Sequence, residues 1–330
     1  MRLAALAVLV FIGTAQAAPL SEQEIAAITD QISTGLQRVY PLPDLGARYA
    51  GALSAKAKSG AYKGLDDCAL AQKVTADLQS VHPDGHLHIL CSPELQQFSK
   101  QWLQPPSENN WTPVFDGVEL DHDQPVALLR SSRGWQLNDQ AFEQAAHALG
   151  MAAHARYVII DLRNNPGGHG EIGHFIASYF FPAGKEAVLL ERGLTRDPKQ
   201  LWQAYSLPYV PGPRLDNAKL YILVNHATAS AAEGFSFFMQ HQKKAVIIGQ
   251  TTAGAGNPAT VVPLPSGMGL MVPFKRVVSP DSDEGWDMVG VVPNLATEPG
   301  KEQETAIRLI REDLAGSKHV PEQNPQEPSH

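Results

Sequence analysis

Two segments carry residue types that could perform acyl transfer. YVIIDLRNNPGG, from Tyr157 to Gly168, and LYILVNHATASAAEGF, from Leu220 to Phe235, are continuous apolar runs that end in a polar or glycine-rich turn and open into a helix-like stretch. Such a strand end presents backbone N–H groups and, in the second segment, the hydroxyl of Ser230 beside the positive end of a helix. Ser230 is therefore a candidate nucleophile, and its bland reading is a simple helix N-cap. A tetrahedral intermediate also needs N–H donors fixed before reaction, and Gly167, Gly168 and Ala231 are the candidates. Both glycines could instead only permit a tight turn. Glu233, one helical turn after Ser230, is either a charge that buttresses the helix N-terminus or a group that holds the serine loop.

These residues need a scaffold that sets strand ends side by side. From Phe115 onward, strand-like and helix-like stretches alternate: PVALLR, NDQAFEQAAHALGMAAH, YVIIDL, EIGHFIASYFF, KLYILV, SAAEGFSFFMQ and AVIIG. The alternation predicts an α/β domain with a mainly parallel sheet. VVPLPSGMGLMVPF reads as a hairpin turning at Ser266-Gly267, and KEQETAIRLIREDLAG as a closing helix. Upstream, Ser21 with Glu24 makes a capping-box pattern ahead of IAAITDQISTGLQRVY, followed by helical periodicity in LGARYAGALSAKAK and DDCALAQKVTADLQSV. HLHILC (His86 to Cys91) reads as a strand, Ser92-Pro93-Glu94 starts a short helix, and Pro105-Pro106 through Pro113 makes a linker. The expected organisation is a leader at 1–17, a mostly helical domain at 18–112, an α/β domain at 113–316 and a disordered tail at 317–330.

Composition narrows the function. Met1-Arg2, the run LAALAVLVFIG and the small-x-small site Ala15-Gln16-Ala17 form a secretory signal pattern, so export to a periplasmic or extracellular space is expected. No later run has the length of a membrane span. A net charge of −8 without a basic cluster argues against a nucleic-acid partner. Cys68 and Cys91 are the only cysteines, and an oxidising compartment predicts that they pair; two buried thiols are the alternative. His82, His86 and His88 lie close together, but their spacing fits no standard metal site, so no metal and no organic cofactor are expected.

IDLRNNPGG, TASAAE about sixty residues later, GQTTAGAGN and GVVPN together resemble, in that order, the catalytic domain of the C-terminal processing and tricorn serine peptidases. The repeated domains of interphotoreceptor retinoid-binding protein share the pattern. The resemblance implies a crotonase/ClpP-like catalytic fold, Ser230 as nucleophile, and the glycine pair with Ala231 as the oxyanion hole. Processing peptidases place a lysine where this chain has Ala255, in Thr252-Ala253-Gly254-Ala255-Gly256, so a serine–lysine dyad at that site is excluded. The tricorn-like branch takes its base from a histidine in the N-terminal region, and Asp84-Gly85-His86-Leu87 matches that place. A neutral imidazole suits the task near neutral pH, whereas a structural turn is the bland reading of His86.

Two positions depart from the tricorn pattern. Gly85 replaces a serine, and Asp287 stands for a glutamate that is longer by one methylene, so the partner that orients His86 is Asp287, Asp84 or a water. About thirty residues separate His86 from Phe115, too few for the PDZ domain of the processing enzymes, which favours the PDZ-less, retinoid-binding-protein-like branch. The leading expectation is an exported serine peptidase acting on peptides or proteins. The alternative is a binding module for a hydrophobic small ligand, with Ser230 a relic. A thioester enzyme on the related crotonase-like fold lacks support in an exported chain.

Overall fold

The computed structural model of the protein describes residues 18–100, 111–121, 123–184 and 186–317. The expected leader, the Pro105-Pro106 stretch and the tail from 318 lie outside them.

Local signals start the N-terminal helices. The Ser21 N–H donates to the Glu24 carboxylate at 2.8 Å and the Ser21 hydroxyl accepts from the Glu24 amide at 3.2 Å, which closes the capping box of α1 (Glu22–Val39). Helix α2 (Pro43–Lys58) opens on a proline that needs no hydrogen bond there, and α3 (Asp67–Val81) on an Asp66 cap to the Ala69 N–H. Strand β1 (His88–Leu90) and helix α4 (Ser92–Phe98) follow, and a disulfide joins Cys68 to Cys91. The strand is shorter than the expected His86 to Cys91. Asp84 captures the N–H groups of His86 and Leu87 at 2.9 and 3.1 Å, and a side chain that satisfies amides locally takes them out of a ladder.

The α/β part then runs β2 (Gly117–Asp121), β3 (Val126–Arg130), α5 (Asp139–Met151), β4 (Tyr157–Asp161), α6 (Gly170–Ser178), β5 (Leu189–Thr195), β6 (Leu201–Tyr205), β7 (Lys219–Val224), α7 (Ala231–His241) and β8 (Ala245–Gly249). Strands β9 (Ala259–Pro263), β10 (Gly269–Pro273), β11 (Lys275–Val278) and β12 (Leu295–Ala296) precede α8 (Glu302–Ser317). Six strands form the central sheet in the order β12-β8-β7-β4-β3-β2, parallel except for the edge strand β2.

All five residues of β4 are buried, as a strand covered on both faces must be. On one face Ile160, Ile222 and Val224 pack with Ala145 of α5, Ile176 of α6 and Phe235 of α7. On the other, Ile159, Leu223 and Ile248 meet Ala306 and Ile310 of α8. Strands β5, β6 and β11 make a separate antiparallel sheet that the sequence reading did not anticipate.

The β9–β10 hairpin turns at Ser266 and Gly267, both with positive φ (58° and 69°). Strand β10 also pairs antiparallel with β1, His88 opposite Met271 and Leu90 opposite Gly269. Leu264, Met268, Leu270 and Val272 thereby enter the core built from Ile28, Ile32, Leu36, Tyr49 and Leu70. The helical region expected to end at 112 completes its core with a hairpin from the other side of that boundary.

Candidate active site

Adjacent parallel strands β4 and β7, in register from Tyr157 opposite Lys219 to Asp161 opposite Leu223, deliver their C-terminal turns next to each other. After β7 the chain is pinned to the β4 turn: the Thr228 hydroxyl donates to the Leu162 carbonyl at 2.8 Å and the Ala229 N–H to the Asn165 carbonyl at 2.9 Å. Ser230 then takes φ 52° and ψ −122°, a conformation disfavoured for any residue with a Cβ. Its N–H donates to the Glu233 carboxylate at 2.7 Å, whereas the return arm to its hydroxyl is a loose contact that falls short of a side-chain cap hydrogen bond. The hydroxyl thus makes no hydrogen bond of ordinary geometry to the α7 backbone.

The glycine turn is held as tightly. The Gly167 N–H donates to Asn165 Oδ1 at 2.8 Å, and the Trp135 N–H to the Gly167 carbonyl at 2.7 Å. Asn165 Nδ2 donates to the Ser131 carbonyl, and Trp135 Nε1 to the Ser131 hydroxyl. Gly167 has φ 90°, and a methyl group there would lie 2.6 Å from Ser230 Cβ and 2.8 Å from the Ala231 nitrogen. Gly168 has φ 124°, and a methyl there would lie 2.2 Å from the Trp135 carbonyl oxygen. Only glycine fits either position, because Ser230 and its flanking backbone press against Gly167 and the Trp135 backbone presses against Gly168. Among the described residues the N–H groups of Gly168 and Ala231 meet no acceptor, while that of Gly167 is committed to Asn165.

Glu233 joins the serine loop to a third segment. Fully buried, its carboxylate accepts from the Ser230 N–H, the Thr252 hydroxyl, and the N–H groups of Gly254 (2.6 Å) and Ala255 (2.9 Å). Burial pushes its carboxyl pKa up against the pull of these four donors. The segment it holds abuts the histidine turn: a side chain on Gly85 would begin 3.7 Å from the Gly254 carbonyl oxygen.

His86 follows in that turn, which Asp84 fixes. The Asp84 carboxylate, itself buried, also accepts from the Tyr40 hydroxyl at 2.7 Å, and Gln79 clamps the turn through the Asp84 N–H and the Asp84 and Leu87 carbonyls. His86 Nδ1 is buried without a hydrogen-bond partner among the described residues. Burial holds the His86 pKa below its ordinary 6.5; Asp84 raises it and His88 lowers it further. No hydrogen bond joins the His86 ring to Ser230 or to Asp287 among the described residues.

Asp287 instead accepts from the Gly256 N–H at 2.9 Å and from Asn257 Nδ2 at 2.7 Å. Burial first, then Asp84, raise its pKa to about 6 against these donors, with Glu233 adding to the rise. Lys275 has a pKa lowered to about 8, chiefly by burial, but its ammonium stands 3.0 Å from the centre of the Trp202 ring and makes no hydrogen bond to Ser230. Asn165, Ser131, Trp135 and Thr252 were not singled out from sequence. Asn165, placed ahead of Pro166, carried a readable Asx-turn signal, and the others carried none.

Residues 126–297 match the model of peptidase family S41, and residues 12–116 match the N-terminal domain of peptidase S41 described for eukaryotic IRBP. The carboxyl-terminal-processing protease of Picosynechococcus sp. is 26% identical over 215 residues, 62% of this chain and 49% of that protein. The chloroplastic C-terminal processing peptidase of Tetradesmus obliquus is 33% identical over 169 residues, 48% of this chain and 33% of its own length. The chain thus spans half or less of these relatives. Among solved structures, a photosystem II D1 C-terminal processing protease superposes with a TM-score of 0.58 at 15% identity, covering 88% of this chain and 97% of its own. A putative peptidase from Parabacteroides merdae gives 0.60 at 14% identity, covering 94% of this chain and 100% of that one. Tricorn protease gives 0.56 at 10% identity, covering 88% and 37%. These likenesses show a shared fold, and the family match, which takes in more than half of the sequence, shows that the chain belongs to peptidase family S41.

Proposed function

We propose that the chain is an exported serine peptidase that cleaves peptides or proteins, with Ser230 as nucleophile and His86 as general base. The observation that carries this reading is the Ser230 turn. A non-glycine residue is held at φ 52° in a turn packed against Gly167, and the N–H groups of Gly168 and Ala231 on either side of that contact meet no acceptor among the described residues. In the proposed reaction Ser230 Oγ attacks the scissile carbonyl carbon while neutral His86 takes its proton. Gly168 and Ala231 N–H then bind the oxyanion. The protonated His86 gives its proton to the leaving amine, and water hydrolyses the acyl-enzyme by the same route.

Gly167 serves as a spacer, since its N–H belongs to Asn165. Glu233 keeps the Ser230 loop and the Gly254–Ala255 segment in register, and Asp84 keeps the His86 turn. Asp287 supports the Gly256–Asn257 backbone. Substrate closes the remaining gap between base and nucleophile, because such contacts commonly tighten only in the complex. The Cys68–Cys91 disulfide supports an oxidising compartment and therefore export. A fluorophosphonate probe tests the proposal: it should label Ser230 in wild type, identified by peptide mass spectrometry, and not the Ser230→Ala variant. Equal labelling of both, or peptide hydrolysis that survives Ser230→Ala, rejects the nucleophile.

A further inference from the structure

Met288 is a large side chain held where glycine or asparagine belongs. Its φ of 63° is left-handed, a conformation in which any Cβ meets the backbone. The neighbouring hydrogen bonds impose it. The Met288 N–H donates to the Gly254 carbonyl at 2.7 Å, and the Val289 and Gly290 N–H groups both donate to the Trp286 carbonyl, at 3.2 and 2.8 Å. Trp286 is anchored between Phe237 and Phe238, with ring centres 5.0 and 5.6 Å away. An anchored residue thus aims its second neighbour outward, and 43% of Met288 and 66% of Val289 stay exposed. Strain retained on an exposed apolar residue has no packing purpose, and strained residues cluster at ligand clamps.

The location is specific. Met288 sulfur lies 4.0 Å from where a side chain on Gly85 would begin, beside His86, while its backbone is bonded to Gly254. Gly254 and Ala255 in turn share the Glu233 carboxylate with Ser230. The thioether therefore stands at the seam between the two sides of the candidate machinery.

We infer that Met288 and Val289 form an apolar subsite that receives a hydrophobic side chain of the peptide, which makes Met288 a specificity-determining residue; the inference rests on the peptidase reading. The thioether is polarizable and has several rotatable bonds, so it accommodates aliphatic chains of different shape. Asp287, next in the chain to Met288, already feels the charges of Asp84 and Glu233, so an acidic side chain entering there meets like charge.

The test uses quenched fluorogenic peptides that differ by Leu, Ala or Asp at each residue flanking the cleaved bond. Wild type should favour Leu over Ala at one of these positions, and Asp should be the poorest there. Met288→Gly and Met288→Asn both suit the left-handed backbone and should melt at or above the wild-type temperature. Each should lower the Leu-to-Ala ratio of kcat/KM about ten-fold, the usual discrimination of an apolar pocket, and Met288→Leu should restore it. If both backbone-compatible variants keep the wild-type ratio within about two-fold while Ser230 still takes the probe, the subsite is overturned and the peptidase reading stands. Loss of the Ser230 label in wild type would overturn the peptidase reading itself.

Discussion

Asp287→Asn isolates the cost of one buried charge. The Asp287 carboxyl titrates at about 6 in the folded chain against 3.8 in the unfolded one, raised chiefly by burial and by Asp84. A carboxyl with a raised folded pKa binds its proton more tightly when folded. The stability that proton confers is complete below pH 3.8 and is lost as the pH rises to about 6. A shift of about two units is worth about 3 kcal/mol, and water at the partly exposed side chain reduces this to about 1–3 kcal/mol. Asparagine carries no charge at any of these values. It keeps the shape that meets the Gly256 N–H and the Asn257 amide, so any change in those hydrogen bonds is a constant offset. Urea unfolding of both proteins from about pH 4 to about pH 7.5 gives the difference directly, since the titrations of groups that Asp287 does not touch cancel. The variant should gain about 1–3 kcal/mol on wild type across that span. A difference that is flat, or that runs in wild type's favour as pH rises, would refute the assignment of a buried, carboxylate-crowded Asp287.

Glu233→Gln places an NH2 group against donors that now share a carboxylate, strands at least one buried backbone N–H, and should cost about 2–4 kcal/mol in urea unfolding while slowing probe labelling of Ser230. An unchanged midpoint and labelling rate would show that the serine turn is held without it. Because burial depresses the His86 pKa, kcat/KM should fall only as pH drops through a value below 6.5, in Asp287→Asn as in wild type; an inflection above 6.5 in both contradicts His86 as a buried base. Replacing Cys68 and Cys91 together by serine should lower stability by roughly 3 kcal/mol for a cross-link spanning 23 residues, measured by urea midpoint at constant slope.

Those parts of the fold whose cause is local were legible in the sequence. The Ser21–Glu24 capping box starts α1 and the unbroken apolar runs make β4 and β7, because backbone caps and two-sided burial leave marks within a few residues. Two neighbouring parallel strands then necessarily set Gly167 and Ser230 together at their ends. Strands β5, β6 and β11 stayed hidden because their pattern serves distant partners. Glu191, in the middle of β5, is buried against His174 of α6 at 3.3 Å, and Gly193 makes room for Lys275 and Trp202. The site followed the same division. Ser230 and the glycine pair were readable as turns, but that Gly167 spends its N–H on Asn165, and that Asp287 serves Gly256 and Asn257 rather than the His86 ring, depends on contacts between segments far apart in the chain.

The pairing of β1 with β10 makes time a variable. Leu90 meets Gly269, so roughly 180 residues must be synthesised after the histidine turn before the hairpin that completes its core exists, a delay of about 10–35 s at ordinary elongation rates. Until then Leu36, Leu70 and Ile89 lack the apolar cover that Leu264, Leu270 and Val272 provide. A nascent or truncated chain ending before the hairpin therefore has no finished platform for His86, whatever the state of its helices. The candidate base therefore matures late, after the segments that hold Ser230 have been made, and only in a chain long enough to bring the hairpin back to α1 and α3.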